Sequence, residues 1–487
     1  MQLDIGTAGS TSQIAERRED AETGVLEAFA LSCARWMEKW FPDAFVVVLA
    51  AVALIAAAAL CVGARPEAIV NAFGGGFWNL LPFSMQMALI VVTGFALATA
   101  RPVLHLIDQL AKVPRSARAA VGFVAFISMV VSLLNWAFGL IFAGLLVRAL
   151  GRRSDLSIDY RAATAAAYLS IGGPCLLGLS SAPALLHATP ASVPKSLFSL
   201  SGYIPLLDTL FTWQNAVAIC VMTLAGVLIA YFTAPRASHA VTAEMLSIDL
   251  TDRIESYPTT RPGEWLENSP ILTLLLGVIM GGWLILKIST LGVFATISNL
   301  NNYIFLILTL ALVLHRTPGN FMRAAAKATP SVAGIIVQFP LYAGVAAILI
   351  SAKNITGHSL SDYLSNFFVG LSGEHGFPLV VSIYSVVMGI FIPSAGGKWI
   401  LEAPYLFSAA VELKSNLAWV IQTYSGSETL ANLINPFWML PLLGMVALKA
   451  RHIVGFTFIY FLFLTPITIV TFWLLAMTFD YQPPMFP

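Results

Sequence analysis

Two ionisable side chains, Lys398 and Glu428, lie within otherwise apolar stretches of this sequence. A charged side chain inside a membrane segment costs several kcal/mol and is kept where it binds a ligand, relays a proton or pairs with another charge. For Lys398, two interpretations are open. Its ammonium group binds an anionic substrate or serves as a fixed cation in place of a bound ion, or it forms an i,i+4 salt bridge with Glu402. Glu428 is predicted to relay a proton or a cation; the alternative is a carboxylate satisfied by neighbouring Ser and Asn side chains.

The residues around Lys398 interrupt an apolar run with glycine and proline. The sequence IPSAGGKW, residues 392–399, lies within the apolar run 377–411, and a matching interruption at 135–139 lies in the middle of the run 119–150. In hydrocarbon, non-helical backbone is tolerated only where it is buried in protein or lines a wet cavity. Two such breaks at corresponding places of two halves predict two re-entrant hairpins whose tips form a transporter's binding site.

A polar break is also predicted in the crossing that follows each hairpin. After the first hairpin the breaks are 170–174 (SIGGP) and 180–183 (SSAP); after the second, the break is 423–429 (TYSGSET), followed by Asn432 and Asn435. Unwound helix ends offer free N–H groups to an anion and free carbonyls to a cation. We therefore expect the breaks and the hairpin tips to enclose one small charged solute. The competing interpretation of any single Gly or Ser is tight helix packing.

The composition is that of a polytopic membrane protein. Of the 487 residues, 58% are hydrophobic and 10% are charged, and the mean hydropathy is +0.82, whereas soluble domains average about 25% charged residues. The net charge of +1 gives no indication of a nucleic-acid partner. The four cysteines form no C-x-x-C pair and are interpreted as small core residues. No cleaved signal peptide is predicted at the N-terminus.

The positions of Lys and Arg predict the orientation of the chain. The basic loops 101–118 and 148–161 are both predicted to be cytoplasmic, so the hairpin 119–150 enters and leaves on that side. The basic segment 316–327 is also predicted to be cytoplasmic, and one crossing then brings the chain outside, so the hairpin 377–411 enters from the opposite side. The predicted fold class is an all-α polytopic membrane protein. It is an inverted repeat with two opposed re-entrant hairpins, broken transmembrane helices and about 9 to 11 spans.

The chain is divided into five parts by its polar segments. They are a cytoplasmic N-terminal tail with an interfacial amphipathic helix (1–43), a first transmembrane repeat (44–233), a polar cytoplasmic linker (234–269), a second transmembrane repeat (270–479) and a C-terminal tail (480–487). The amphipathic helix is predicted at 25–41 from apolar residues at helical spacing. The charged linker is expected to be solvated. Residues 74–83 (GGGFWNLLPF) are expected to form a bent prelude, too short to span, before a crossing that starts at Gln86.

No sequence motif indicates an enzyme or an ATP-driven pump. Walker A, G-x-S-x-G and dinucleotide-binding patterns are absent, and the seven histidines show no metal-ligand spacing. We therefore expect no enzymatic activity, no cofactor and no metal. The coupling ion of a carrier is left open between H⁺ and Na⁺.

Four runs of the sequence together resemble one family of bacterial carriers. They are GGGFWNLLPFSMQMALIVVTGFALA (74–98), NWAFGL (135–140), IPSAGGKW (392–399) and NPFW (435–438). The chain resembles the bacterial short-chain fatty acid transporter family, the acetoacetate and butyrate uptake type, over about residues 35–479. The resemblance implies a multi-pass secondary carrier of the bacterial inner membrane, of an ion-transporter superfamily with two hairpins and an elevator-like movement. It also implies a homodimer in the lipid bilayer.

The leading hypothesis is a symporter that imports a short-chain monocarboxylate such as acetoacetate or butyrate. The alternatives are a carrier of a C4-dicarboxylate or another organic anion, with Lys398 neutralising the second charge, and an uncoupled channel or sensor. The residues predicted to bind the substrate are Asn135, Trp136, Gly139, Ser180, Ser181, Ser394, Gly396, Gly397, Lys398 and Trp399. Those predicted to handle the coupling ion are Ser425, Ser427, Glu428, Asn432 and Asn435.

Overall fold

The computed structural model describes residues 44–236, 240–250, 261–373, 376–392, 394–435 and 438–486. The predicted amphipathic helix at 25–41 lies outside these residues. Within them the chain is helical, and its β-structure is limited to isolated bridges. The α-helices are, in order, α1 (Ala44–Cys61), α2 (Pro66–Gly76), α3 (Leu81–Ala98), α4 (Arg101–Leu110), α5 (Ala117–Ser132), α6 (Trp136–Gly151), α7 (Tyr160–Gly172), α8 (Ala182–His187), α9 (Lys195–Ser201), α10 (Leu206–Thr209), α11 (Trp213–Thr233), α12 (Glu264–Asn268), α13 (Ile271–Leu291), α14 (Val293–Ser298), α15 (Leu300–His315), α16 (Pro318–Ala328), α17 (Ala333–Ser351), α18 (Leu360–Leu371), α19 (Phe377–Phe391), α20 (Ala395–Glu412), α21 (Leu417–Asn432), α22 (Met439–Val446) and α23 (Val454–Ala476).

Several of these helical stretches are long and apolar enough to cross a membrane. Six qualify among the described residues, and they are Pro66–Ala98, Tyr160–His187, Trp213–Thr233, Ile271–Leu291, Ala333–Ser351 and Val454–Ala476. The stretch Pro66–Ala98 corrects the predicted start of the crossing at Gln86, because residues 74–83 belong to it as the end of α2, a 3-10 turn at Phe77–Leu80 and the start of α3. Pro82 falls in the first turn of α3, where a missing N–H costs no helical hydrogen bond, so the stretch continues through it.

Two helical hairpins are present where the apolar runs are interrupted. In the first, α5 ends at Ser132 and α6 begins at Trp136; in the second, α19 and α20 are separated by residues 392–394. Each second arm begins with a side-chain cap. Asn135 Oδ1 accepts a hydrogen bond from the Phe138 amide at 2.9 Å, and Ser394 Oγ accepts one from the Gly397 amide at 3.3 Å. These caps satisfy amides that a helix start leaves unpaired, which explains why each second arm starts at its polar residue.

The two hairpins open toward opposite ends of α23. Near the base of the first hairpin, Arg148 donates a hydrogen bond to the carbonyl of Met445, just before α23, at 3.2 Å. Beyond the base of the second hairpin, Asn416 donates to the carbonyl of Asp480, just after α23, at 3.0 Å. The hairpins therefore enter the bundle from opposite sides, which confirms the inverted arrangement expected from the basic loops.

Corresponding helices of the two halves make corresponding contacts. In the first half α5 packs against α7 and α11, and α6 packs against α3, α4 and α7. In the second half α19 packs against α21 and α23, and α20 packs against α17, α18 and α21. Helix order and packing thus repeat along the chain, while the repeat boundaries at 44–233 and 270–479 stay predictions.

Part of the linker is packed against the first repeat. Ala243 is buried, the Tyr160 amide donates to the carbonyl of Val241 at 2.9 Å, and the Val241 amide donates to Asp159 Oδ2 at 3.1 Å. The charged composition of this segment predicted a solvated linker. The short backbone contacts around Val241 explain why this part of it is ordered instead.

Candidate functional site

A central cavity of about 90 Å³ lies where both hairpin tips meet the ends of α7 and α21. A cavity of this size holds a small solute. Polar side chains come from Ser180, Ser394 and Asn432, and none of the described lining residues is charged. The rest of the lining is Met87, Trp136, Ile171, Cys175, Leu176, Ala182, Ile335, Phe339, Ala395, Gly396 and Trp438.

Aromatic rings form much of the apolar wall. Trp136, from the first hairpin tip, meets Trp438 edge to face, with ring centroids 5.2 Å apart. Phe339 of α17 lies on the same cavity. A mainly apolar wall with a few polar groups is typical of a small-molecule site, because the apolar surface holds the body of the ligand and the polar groups orient it.

The second hairpin tip presents a helix N-terminus to this cavity. Ala395 and Gly396 are the first two residues of α20 and line the cavity. Their amides form no hydrogen bond to other described residues, since the first amides of a helix have no intrahelical acceptor. Free N–H groups and the positive end of the helix dipole attract an anion. The N-terminus of α20 therefore gives the neutral cavity an anion-attracting group.

Lys398, Glu402 and Glu428 form a buried cluster behind the tip, called here the charged triad. The Lys398 ammonium contacts the Glu428 carboxylate directly, and its Nζ lies 3.7 Å from Glu402 Oε2. The exposed fractions of the three side chains are 0%, 0% and 1%. The predicted i,i+4 pair with Glu402 is present, whereas the closer pairing with Glu428 was not predicted. Since Lys398 does not line the cavity, its position does not match the predicted direct contact with substrate.

Tyrosine side chains surround the charged triad. The Tyr384 hydroxyl donates to Glu402 Oε1 at 3.1 Å and lies 2.6 Å from the Tyr405 hydroxyl, and Lys398 Nζ is 4.7 Å from the centre of the Tyr424 ring. Tyr384 and Tyr405 were not among the predicted site residues, and Tyr424 was predicted only as part of the break at 423–429. Tyr405 follows Glu402 by three residues on one helix face, which is a usable signal. Tyr384 comes from another helix, and its spacing gives no such signal.

The predicted substrate-binding residues fall into two groups. Four of them, Trp136, Ser180, Ser394 and Gly396, line the cavity, and a role in binding stays a prediction for them. The others are packed behind it: Asn135, Gly139, Ser181, Gly397, Lys398 and Trp399. Asn135, for example, caps α6 with its oxygen and donates through Nδ2 to the carbonyl of Ile90 at 3.2 Å.

Gly139 has a packing role in the first hairpin. A Cβ added there would lie 2.6 Å from Cα of Ser132 on the other arm, and backbone cannot move aside as a flexible side chain can. We expect Gly139→Ala to lower the free energy of unfolding by about 1–3 kcal/mol, because the arms must separate. Thermal unfolding of purified protein measures this. Gly282→Ala is the control, since a Cβ there meets nothing within 4 Å; equal melting temperatures for the two variants would contradict the packing role.

Trp399 is held away from the cavity by a histidine that the sequence analysis did not single out. Its indole Nε1–H donates to His187 Nε2 at 3.0 Å. Because Nε2 accepts this bond, the imidazole proton is on Nδ1, which lies 3.2 Å from Ser201 Oγ. The two partners are more than two hundred residues apart along the chain, so no local spacing could reveal the pair.

The predicted break at 423–429 is wrong. Helix α21 is continuous from Leu417 to Asn432, and the chain leaves the helix after that residue. Gly426 serves packing and not unwinding, since a Cβ there would lie 2.3 Å from the Phe472 ring. The matching break in the first half is confirmed: α7 ends at Gly172, and a 3-10 turn follows.

The predicted ion-coupling residues do not share one environment. Glu428 belongs to the charged triad, and Asn432 lines the cavity. Ser425 Oγ lies 3.5 Å from Ser181 Oγ, and Asn435 Nδ2 donates to the carbonyl of Ile390 at 3.2 Å. The remaining residue is Ser427, whose buried hydroxyl has no hydrogen-bond partner among the described residues.

Two opposed hairpins around a small central cavity define a multi-pass membrane transporter, and solved structures share this fold. The chain is similar to the crystal structure of the YdaH transporter of Alcanivorax borkumensis, with a TM-score of 0.55 and 16% identity over 92% of this chain and 100% of that one. It is also similar to MtrF of Neisseria gonorrhoeae, with a TM-score of 0.50 and 14% identity over 94% and 100% of the two chains. At these identities the likeness shows the fold alone.

The sequence comparisons show the family. The sequence model of the family described as Short chain fatty acid transporter matches residues 25–475. A protein of Escherichia coli K12, provisionally named a short-chain fatty acid transporter, is 33% identical over 88% of this chain and 95% of its own length. A protein of Haemophilus influenzae with the same provisional name is 33% identical over 89% and 96%. The chain belongs to the short-chain fatty acid transporter family.

Proposed function

We propose that this protein imports short-chain monocarboxylates such as butyrate or acetoacetate by proton symport, as a homodimer in the bacterial inner membrane. The observation that carries the proposal is the small neutral cavity between the hairpin tips, with the N-terminus of α20 in its wall. Membership of the short-chain fatty acid transporter family supports the same substrate class.

The cavity favours one carboxylate with a short tail. The amides of Ala395 and Gly396 and the hydroxyl of Ser394 provide a place for one carboxylate group, whereas the hydroxyl of Ser180 already donates to the carbonyl of Ser132. The aromatic and aliphatic wall suits a tail of a few carbons. A dicarboxylate needs a second cation, and Lys398 does not provide it, because its ammonium is already bound by Glu428. No observation favours the dicarboxylate alternative.

The charged triad supports coupling to a proton. With both carboxylates ionised, one ammonium leaves the triad with a net charge of −1 in a buried place, which is costly. One added proton makes it neutral. The two carboxylates share this proton, so it belongs to the triad as a whole and not to one residue. Removal of either carboxylate leaves one ammonium and one carboxylate with a net charge of zero. Such a pair no longer favours the uptake of a proton.

Substrate and proton assist each other because their sites are close. Ser394 at the cavity precedes Lys398 by four residues, which is about 6 Å along the helix axis. At a separation of ~8 Å and an effective dielectric constant of ~20, a substrate anion and a triad of net charge −1 repel each other by about 2 kcal/mol. Protonation removes this repulsion, so each ligand tightens the binding of the other by roughly 30-fold.

The selectivity of uptake tests the substrate assignment. We expect unlabelled propionate and acetoacetate to compete with labelled butyrate in proteoliposomes, and succinate and octanoate to compete at least about tenfold more weakly. Succinate finds no second cation among the described lining residues, and the longer tail of octanoate suits a small cavity less well. Competition by succinate equal to that by propionate would support the dicarboxylate carrier instead.

A further inference from the structure

The Lys398 ammonium lies among oxygen atoms from three helices. Glu428 Oε2 of α21 contacts it directly, the carbonyl of Ser385 on α19 accepts a hydrogen bond from it at 3.0 Å, and Glu402 Oε2 of α20 lies 3.7 Å away. The face of the Tyr424 ring is 4.7 Å from Nζ on another side. A carbonyl, two carboxylates and an aromatic face are the groups that bind a monovalent cation.

We infer that the Lys398 ammonium is a built-in cation that occupies a sodium-type site, so that this carrier works without Na⁺ and acquires a Na⁺ requirement when Lys398 is shortened. This ion selectivity rests on the proposed carrier function for its transport readout. Lys398 thereby acts as a residue that determines which ion is coupled, and it does so without touching the substrate. The contacts support the inference, since the Lys398 ammonium is a cation that both buried carboxylates face, through Glu428 Oε2 and Glu402 Oε2.

Charge balance explains why a free cation would replace the lysine. Without the ammonium, two buried carboxylates face each other, and each ionised group is left uncompensated. The other titratable groups around this site are the phenols of Tyr342 on α17, Tyr384 on α19, Tyr405 on α20 and Tyr424 on α21, which are neutral at ordinary pH and supply no cation. A sodium ion fits the vacated position because its ligands, carboxylate and carbonyl oxygens, are already in place.

The test compares wild type with Lys398→Ala, in NaCl and in choline chloride of equal concentration. For wild type we expect the same butyrate counterflow and the same melting temperature in both salts. For Lys398→Ala we expect counterflow to fall by roughly tenfold or more in choline chloride and to recover in NaCl, with a melting temperature several degrees higher in NaCl, because Na⁺ binds the folded state. If Lys398→Ala does not fold, Lys398→Gln, which keeps more of the side-chain volume, takes its place.

Two controls make the result specific. Lys287→Ala removes a different lysine, one that lies over the Trp283 ring on α13, and we expect it to stay insensitive to Na⁺. Adding Glu402→Gln to the Lys398 variant removes one of the ligands, and we expect the melting-temperature rise in NaCl to shrink. A wild-type protein that Na⁺ stabilises, or a folded Lys398 variant that Na⁺ neither stabilises nor activates, would overturn the inference. The melting temperature needs no substrate, so it separates failure of this inference from failure of the proposed function.

Discussion

Glu428→Gln is expected to abolish proton-driven accumulation of butyrate while leaving exchange of butyrate intact. Glutamine keeps the shape of a protonated carboxyl, and the remaining Lys398 and Glu402 then form a permanently neutral pair. The variant therefore resembles the protonated carrier, which binds substrate but has no proton to release. Accumulation under an inward pH gradient should fall by about tenfold or more, toward the level of protein-free vesicles, and counterflow should stay within about threefold of wild type.

A glutamate at the far end of α20, the helix that carries Lys398 and Glu402, provides the matched control. Glu412 is the last residue of α20 and is exposed, so Glu412→Gln removes a carboxylate of the same type without touching the charged triad. We expect Glu412→Gln to accumulate butyrate as wild type does. If Glu428→Gln also accumulates butyrate normally, the triad does not carry the coupling proton.

Gly396→Val should stop transport by filling the cavity from the second hairpin tip. A Cβ at Gly396 would lie 3.1 Å from Cβ of Ala182 and 3.6 Å from the Phe339 ring, so the valine side chain takes up space inside a cavity of about 90 Å³. The space that the substrate would occupy is then filled, and its path to the free amides of α20 is blocked. We expect counterflow of butyrate to fall to the level of protein-free vesicles, with a loss of at least about tenfold.

The control for this variant is Gly282→Val on α13. That glycine is exposed, and a Cβ there meets nothing within 4 Å, so it should transport normally. The melting temperature of Gly396→Val should remain close to that of wild type, because the nearest atom is a side-chain Cβ at a slightly tight distance and not backbone. If a folded Gly396→Val variant transports butyrate at the wild-type rate, the substrate does not bind in this cavity.

Local sequence signals were enough to locate the hairpins. Proline and glycine at 392–397 and the polar cap Asn135 interrupt apolar runs, and helices cannot continue through such positions without losing hydrogen bonds. Basic residues around each hairpin gave the opposed entry that the contacts at Arg148 and Asn416 reproduce. These features depend on neighbours in the chain, so the sequence contains the information directly.

The features of the site that the sequence did not predict depend on packing between residues far apart in the chain. Residues 423–429 contain serines and a glycine that are typical of an unwound helix, but small residues also allow close helix packing, and here Gly426 packs against the Phe472 ring. The pairing of Lys398 with Glu428 joins two helices, as does the bond from Trp399 to His187. The spacing of residues along one helix predicted the pairing of Lys398 with Glu402. It gives no information on pairs that join two helices.

The most direct test of the account is counterflow of labelled butyrate in proteoliposomes loaded with unlabelled butyrate. The protonated acid leaks through lipid, so the rate in protein-free vesicles is subtracted, and trans-stimulation distinguishes a carrier from a leak or a channel. We predict a transient accumulation of label above equilibrium in wild type, equal in sodium and choline buffers and absent in Gly396→Val. Label that enters wild-type vesicles no faster than protein-free ones would contradict the assignment of this family member as a short-chain monocarboxylate carrier.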